Sequence, residues 1–175
     1  MVKLNIDPNT LSRPDRYKLM CALVIPRPIA LVTTLSENNI VNAAPFSFFN
    51  VFSDKPSIVA LGVNARPVGG LKDTAENINY QKEFVVHMVT FDIAEQMNVS
   101  CVNFPPDVSE IDEAKFTLRK SHLLKTPTIN ESLVAIECKL HSITRLGEDR
   151  NLTLGEVVNI STNTDVLDTE KNYVN

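Results

Sequence analysis

The sequence predicts a mainly β fold with short helices, built as a single domain. Apolar runs of strand length recur at Arg27 to Leu35, Pro56 to Val63, Glu83 to Val89, Leu133 to Ile143 and Thr153 to Ser161, each bounded by turn formers. Helical patterns are present but brief. A chain of 175 residues with 43% apolar content is the right size for one substantial core.

Residues 1 to 20 are polar and mixed, and Asp7-Pro8 and Arg13-Pro14 interrupt regular structure. An N-terminal arm is therefore expected there, lying on a domain over 21–175 or on a partner subunit. Arg27 to Leu35 is apolar on both faces until Thr33 and Thr34, as in a strand buried in a barrel or sandwich. Ser36, Asn38 and Asn39 then form a turn, and Asn tolerates positive φ, so a hairpin is expected. In the returning segment, Asn42-Ala43-Ala44-Pro45-Phe46-Ser47, small side chains and a ladder-breaking proline stand beside amide, hydroxyl and phenyl groups. A flat ring can approach such a backbone closely and hydrogen-bond to it, which makes this segment a candidate ligand wall.

A third strand is expected over Pro56 to Val63, followed by a flexible connector at Val68-Gly69-Gly70. Lys72-Asp73-Thr74 opens a short helix with Ala75, Ile78 and Leu71 inward and with Asp73 or Thr74 as its cap. After the strand at Glu83 to Val89, Asp92 with Glu95 three residues on reads as the start of a second helix ending before Pro105-Pro106. Ile111, Ala114 and Phe116 carry a short helical pattern, and the chain is then irregular through Pro127. Two final strands, turning at Gly147-Glu148-Asp149, would close the sheet.

Charge and cysteine usage exclude several classes. A formal net charge of −4 with no basic run leaves no footprint for nucleic acid. No apolar run approaches the roughly 20 residues that span a bilayer, and the first residues lack a signal pattern, so a cytoplasmic protein without membrane contact is expected. Cys21, Cys101 and Cys138 are far apart and outside any CxxC spacing, so neither a disulfide framework nor a metal site is indicated.

RPIALVTT (27–34), NAAPFSFFN (42–50), KDTAENI (72–78), EFVVH (83–87), ECKLHSITRLG (137–147) and LGEVV (154–158) follow one another in an order similar to that of the flavin reductase-like family. That resemblance covers most of residues 24–168. It implies a split β-barrel of Greek-key type that binds flavin mononucleotide (FMN) at a homodimer interface, uses NADH or NADPH as reductant, and passes electrons to a small-molecule acceptor.

FMN requires a neutralised phosphate, a hydrogen-bonded pyrimidine edge and a sheltered ring face. Lys72 precedes a helix N-terminus whose free N–H groups and dipole favour an anion, with Thr74 alongside and Arg66 as a second cation. For the ring, the resemblance points to Thr33 and Thr34 and to Asn42, Ala43, Ala44, Phe46 and Ser47, largely through backbone groups. Small residues at 43 and 44 suit close approach of a ring, and equally a tight strand crossing. Phe48 and Phe49 read as core.

No amino-acid nucleophile is required, and none is identified: Ser47 and Ser100 have no evident base, and the three histidines lack ligand spacing. His87 stands where many family members have asparagine, as a donor near the flavin or a packed strand histidine. His122 lines the open ring face or is an exposed loop residue. Asn159 and Ser161 occupy positions where relatives often have histidines and read as solvent-facing.

Asn38-Asn39 replaces the family's turn glycine, a difference the turn accommodates. Many relatives continue past the equivalent of Val166-Leu167-Asp168 with a basic tail near the cofactor, whereas this sequence ends at Asn175; either this copy is naturally short or the site is partly open, which bears on flavin affinity. Two other readings stand beside the oxidoreductase: a flavoredoxin-like FMN carrier without its own nicotinamide site, and a flavin-free dimer that has kept the fold.

Overall fold

The computed structural model describes residues 3–65, 70–105 and 108–174. Arg66 and most of the Val68-Gly69-Gly70 connector lie outside them. Seven strands form one antiparallel sheet: β1 (Ala30–Leu35), β2 (Val41–Phe46), β3 (Phe49–Asp54), β4 (Ser57–Asn64), β5 (Glu83–Met88), β8 (Val134–Arg145) and β9 (Arg150–Thr162), in the order β2-β1-β5-β8-β9-β4-β3. The remaining strands, β6 (Leu118–Arg119) with β7 (Thr128–Ile129) and β10 (Leu167–Asp168) with β11 (Tyr173–Val174), are short ribbons.

The outermost strands of that order, β2 and β3, are consecutive in the chain and joined only by Ser47-Phe48. A flat seven-stranded sheet would hold them about 29 Å apart, whereas the connection spans about 11 Å at most. The sheet must therefore curl into a barrel, and a hydrogen bond from the Gly62 N–H to the Phe48 carbonyl (2.8 Å) extends the β3–β4 ladder into the corner. Register shifts in the β3–β4 and β8–β9 pairs bend the strands that do the curling.

Alternation along the strands separates two larger cores, beside a small cluster of Val85, Leu124 and Ala135. Val32, Val59, Leu61, Val63, Phe84 and Val86 fill one with Ala75 and Ile78 of α2 (Asp73–Gln81), and Leu71 packs against it. Leu31, Ala43 and Ile129 form the other with Ile93, Met97, Ile111, Ala114 and Phe116. The latter group comes from α3 (Ala94–Val99), α4 (Glu110–Glu113) and the turns beside them. Asn39 takes φ +62° in the first hairpin turn, as expected of asparagine.

Four local expectations are corrected. Residues 13–23 form a helix, α1 (Arg13–Leu23), because Pro14 falls in its first turn, where the missing N–H costs nothing, and Ser12 caps it. Phe49–Asp54 is a strand of its own, because the chain bends at Ser47-Phe48 before pairing with β4. Lys72 occupies the N-cap of α2 without a side-chain cap, which leaves Thr74 inside the helix. The Phe91–Ile93 segment is a 3₁₀ turn, so Ile93, not Asp92, precedes α3.

Candidate functional site

A cleft of about 1070 Å³ opens between the barrel and α1. Asn42, Ala44, Pro45 and Phe46 of β2 and Lys72, Asp73 and Thr74 at the start of α2 line it from one side. Arg13, Arg16 and Tyr17 of α1, Phe48, Asn64 and Arg150 contribute further wall, and Cys101 and Phe104 approach from the loop after α3.

The β2 and α2 portions are locked together. With its amide turned to satisfy both ends, Asn42 donates to Glu110 Oε1 (3.2 Å) and accepts from the Thr74 hydroxyl (3.2 Å). The other Glu110 oxygen accepts the Ala43 N–H at 3.1 Å. Burial raises the Glu110 carboxyl above its ordinary pKa, hydrogen bonds from backbone N–H groups oppose that, and the Asp73 charge adds to the rise. Burial also raises the Cys101 thiol, against the pull of the neighbouring Lys72 charge.

Of the residues singled out from the sequence, Asn42, Ala44, Phe46, Lys72 and Thr74 meet at this cleft. The structure places four others elsewhere. Thr33 and Thr34 are fully buried: the Thr33 hydroxyl donates to the Pro127 carbonyl (2.8 Å), and the Thr34 hydroxyl accepts from Asn77 (3.1 Å). Both hydroxyls are therefore engaged within the protein, one by the 127 segment and the other by α2. Ala43 points into the second core, because neighbouring residues on a strand face opposite ways. Ser47 is half-buried in the β2–β3 corner and does not line the cleft. Arg66 lies outside the described residues.

Sequence reasoning missed Asn64, Arg150, Tyr17 and Glu110. Arg150 opens a strand directly after a turn and carried no distinguishing signal. Tyr17 falls in the polar, proline-interrupted stretch over which the sequence suggests an arm.

Two histidine questions are decided by geometry. His87 is fully buried, with Nδ1 3.0 Å from the Leu31 carbonyl and Nε2 accepting the Ile129 N–H at 2.9 Å. The carbonyl requires a proton on Nδ1 and the N–H requires a lone pair on Nε2, which defines a neutral packed strand histidine. Burial lowers its pKa to about 4; the Leu31 carbonyl opposes the shift and the Arg119 charge adds to it. His122 is exposed and lines a separate recess with Arg119, Lys120, Ser121, Asn159 and Ser161. Asn159 is half-buried, contrary to the solvent-facing expectation, and its amide donates to Glu137 and Ser161.

The donor set at the cleft suits a ligand that is anionic at one point and flat at another. Lys72 and the N-terminal end of α2, with its helix dipole, provide for the anion. Ala44 and Phe46 leave an apolar shelf, and the Asn64 Oδ1 beside the cleft is buried with no hydrogen-bond partner among the described residues. Among the described residues no group of His, Cys, Asp and Glu has metal-holding geometry, and no helix is long and apolar enough to cross a membrane.

Fold and cleft together define a split-barrel protein of the flavin reductase class. Residues 22–175 match the flavin reductase like domain, and the chain belongs to that family. The uncharacterized protein YwrF of Bacillus subtilis is 41% identical over 169 residues, covering 94% of this chain and 82% of the relative. Among solved structures, the 2-nitrobenzoate 2-nitroreductase NbaA of Pseudomonas fluorescens is 34% identical with a TM-score of 0.89, covering 98% of this chain and 82% of that one. Component B of the nitrilotriacetate monooxygenase of Bacillus cereus is 30% identical with a TM-score of 0.94, covering 99% and 87%.

Proposed function

We propose that the cleft binds FMN and that the protein is an NAD(P)H-dependent flavin oxidoreductase passing electrons to a small-molecule acceptor. The observation that carries this reading is the meeting of Asn42, Ala44 and Phe46 with Lys72 and Thr74 at one cleft, through the Asn42–Thr74 hydrogen bond. Lys72 and the first turn of α2 would hold the phosphate. The Ala44–Phe46 edge would shelter the ring, with no side chain beyond Cβ at position 44 to hold it away. Bound FMN supplies the hydride and electron transfer; the chain supplies position and exclusion of water. The names of the nitroreductase and the monooxygenase component favour oxidoreductase chemistry on this scaffold. We further propose a homodimer, which the exposed Met20, Leu23 and Ile25 and the exposed Val51 and Phe52 would help to bury.

The first test is the visible spectrum of purified protein, with FMN titration of any colourless fraction. Saturable uptake near micromolar FMN is expected. A lost charge-assisted contact is worth about 1.5–3 kcal/mol, so Lys72→Ala should weaken FMN by a factor of about 10 to 150 without unfolding the protein. Unchanged FMN affinity in K72A would overturn the phosphate assignment. NADH or NADPH should then bleach the bound flavin faster than free FMN; bound FMN that neither nucleotide bleaches faster would favour a carrier.

A further inference from the structure

We propose that Glu110 is a proton-sensing positioning residue of the cleft: when its carboxylate takes up a proton, the Asn42 amide turns over and the Thr74 hydroxyl is released to donate to the phosphate of the ligand. This rests on the FMN reading of the cleft. Asn42 stands between the other two groups, one end of its amide 3.2 Å from Glu110 Oε1 and the other 3.2 Å from the Thr74 hydroxyl. Asn42 is 8% exposed and Thr74 2%, so bulk water does not compete for these bonds and the count of protons among the three groups decides how they point.

An amide has one donor end and one acceptor end, and a threonine hydroxyl has a single proton. While Glu110 is ionised, its oxygens can only accept. The Asn42 N–H must then face Glu110, its oxygen faces Thr74, and the Thr74 proton is committed to Asn42. Once Glu110 is protonated, its O–H donates to the Asn42 oxygen. The Asn42 N–H then donates to the Thr74 oxygen across the same 3.2 Å, and the hydroxyl proton is left for the cleft that Thr74 lines beside Lys72. The Ala43 N–H keeps the second Glu110 oxygen (3.1 Å) in both arrangements and gives up only its longer contact with Asn42 (3.3 Å), so the backbone need not move.

The surroundings of Glu110 favour the proton. Glu110 lines both the large cleft and a smaller one of about 250 Å³, where it is joined by Glu37 of the first hairpin turn and by Asp73, Glu76 and Tyr80 of α2. Asp112 and Glu113 follow it on α4, and β2 carries no ionisable side chain. The cations of the large cleft are Lys72, Arg13, Arg16 and Arg150, and Cys101 is its thiol. Of these charges the Asp73 carboxylate is the one that shifts Glu110, adding to the rise that burial causes against the backbone N–H bonds. A phosphate at the start of α2 would add negative charge on the same side. Anion binding and uptake of a proton from solvent therefore strengthen one another, and by linkage the effect is reciprocal.

The test is the FMN affinity of the full-length protein between about pH 5 and 8.5, for wild type, Glu110→Gln and Thr74→Val. The side-chain amide of E110Q donates to the Asn42 oxygen as the protonated acid does, which holds the released arrangement, and dividing by its affinity cancels the titration of the phosphate itself. Wild type should match E110Q at the acid end and fall about tenfold below it at the alkaline end, taking up about half a proton more than E110Q on binding at the midpoint. T74V should bind about tenfold more weakly than E110Q throughout, with the same pH profile, while Thr74→Ser should keep the wild-type profile. Parallel profiles for wild type and E110Q would overturn the relay and leave the FMN reading standing. A wild-type profile in T74V would overturn it too, since Glu110 would then act by its charge alone; Thr74→Ala replaces T74V if that variant fails to fold. The ligand-free protein gives a readout without flavin: the Asn42 side-chain amide signals in nitrogen-15 NMR should move with pH in wild type and stay fixed in E110Q. That movement in a protein that ignores FMN supports the relay and overturns the FMN reading, and its absence over the same pH range overturns the relay.

Discussion

His87 illustrates what a single buried side chain does for this fold. Its folded pKa of about 4 lies below the ordinary 6.5, so the unfolded chain takes up the proton first as pH falls. The stability it contributes is complete above pH 6.5 and is lost as pH falls from 6.5 towards 4, by about 3 kcal/mol in all. Urea unfolding of wild type and His87→Asn between pH 7 and 4.5 should show a shallower pH dependence in the variant, by close to one proton. Equal slopes would show that His87 does not titrate between the two states. The sequence leaves His87 open as a donor near the flavin or a packed strand histidine; only the positions of the Leu31 carbonyl and the Ile129 N–H, 56 residues from His87 in one direction and 42 in the other, choose the packed reading.

At the level of elements, β8 and β9 carry two demands that local sequence does not announce. Gly155 of β9 lies against Phe84 and Cys138: a Cβ there would run into the Phe84 ring and come within 3.0 Å of the Cys138 Cβ. Gly155→Ala should cost about 1–3 kcal/mol, read as a lower urea midpoint at unchanged m-value. Glu137 of β8 is buried, yet its pKa is lowered. Burial alone would raise it, but the N–H groups of Leu123 and His122, the Asn159 amide and the Leu124 N–H outweigh that effect. These bonds of 2.7 to 3.2 Å pin the 122–124 loop to the barrel, and Glu83 holds Lys125 and Thr126 in the same way. This contribution is present above the usual glutamate pKa and is lost as pH falls through the lowered one. Glu137→Gln should therefore speed hydrogen exchange at 122–124 about tenfold or more, at a cost of about 2 kcal/mol. Unchanged protection at those amides would rule out the anchoring role.

For the whole molecule, barrel closure brings α1, β2, α2, β4 and β9 around one cleft, and the exposed apolar side chains of α1 and β3 are those the proposed dimer would bury. Light scattering on the eluted protein should give twice the mass of the chain, and a monomer at micromolar concentration would refute the dimer. The family, the hairpin at Asn39, the short helices and the Lys72-Thr74 start of α2 were legible in the amino-acid order, because turn chemistry, periodicity and motif spacing act over a few residues. The same local reasoning could not tell which way the side chains of Thr33, Thr34 and Ala43 face, because that depends on what covers each side of a strand. It could not join Asn64 to Arg150 or Tyr17 to Phe48, which stand 86 and 31 residues apart in the chain. The sequence by itself determined what kind of barrel forms and which segments approach the cleft. Only the tertiary structure decided which side chains face it, because the pairing of distant strands and the curl of the sheet set those directions.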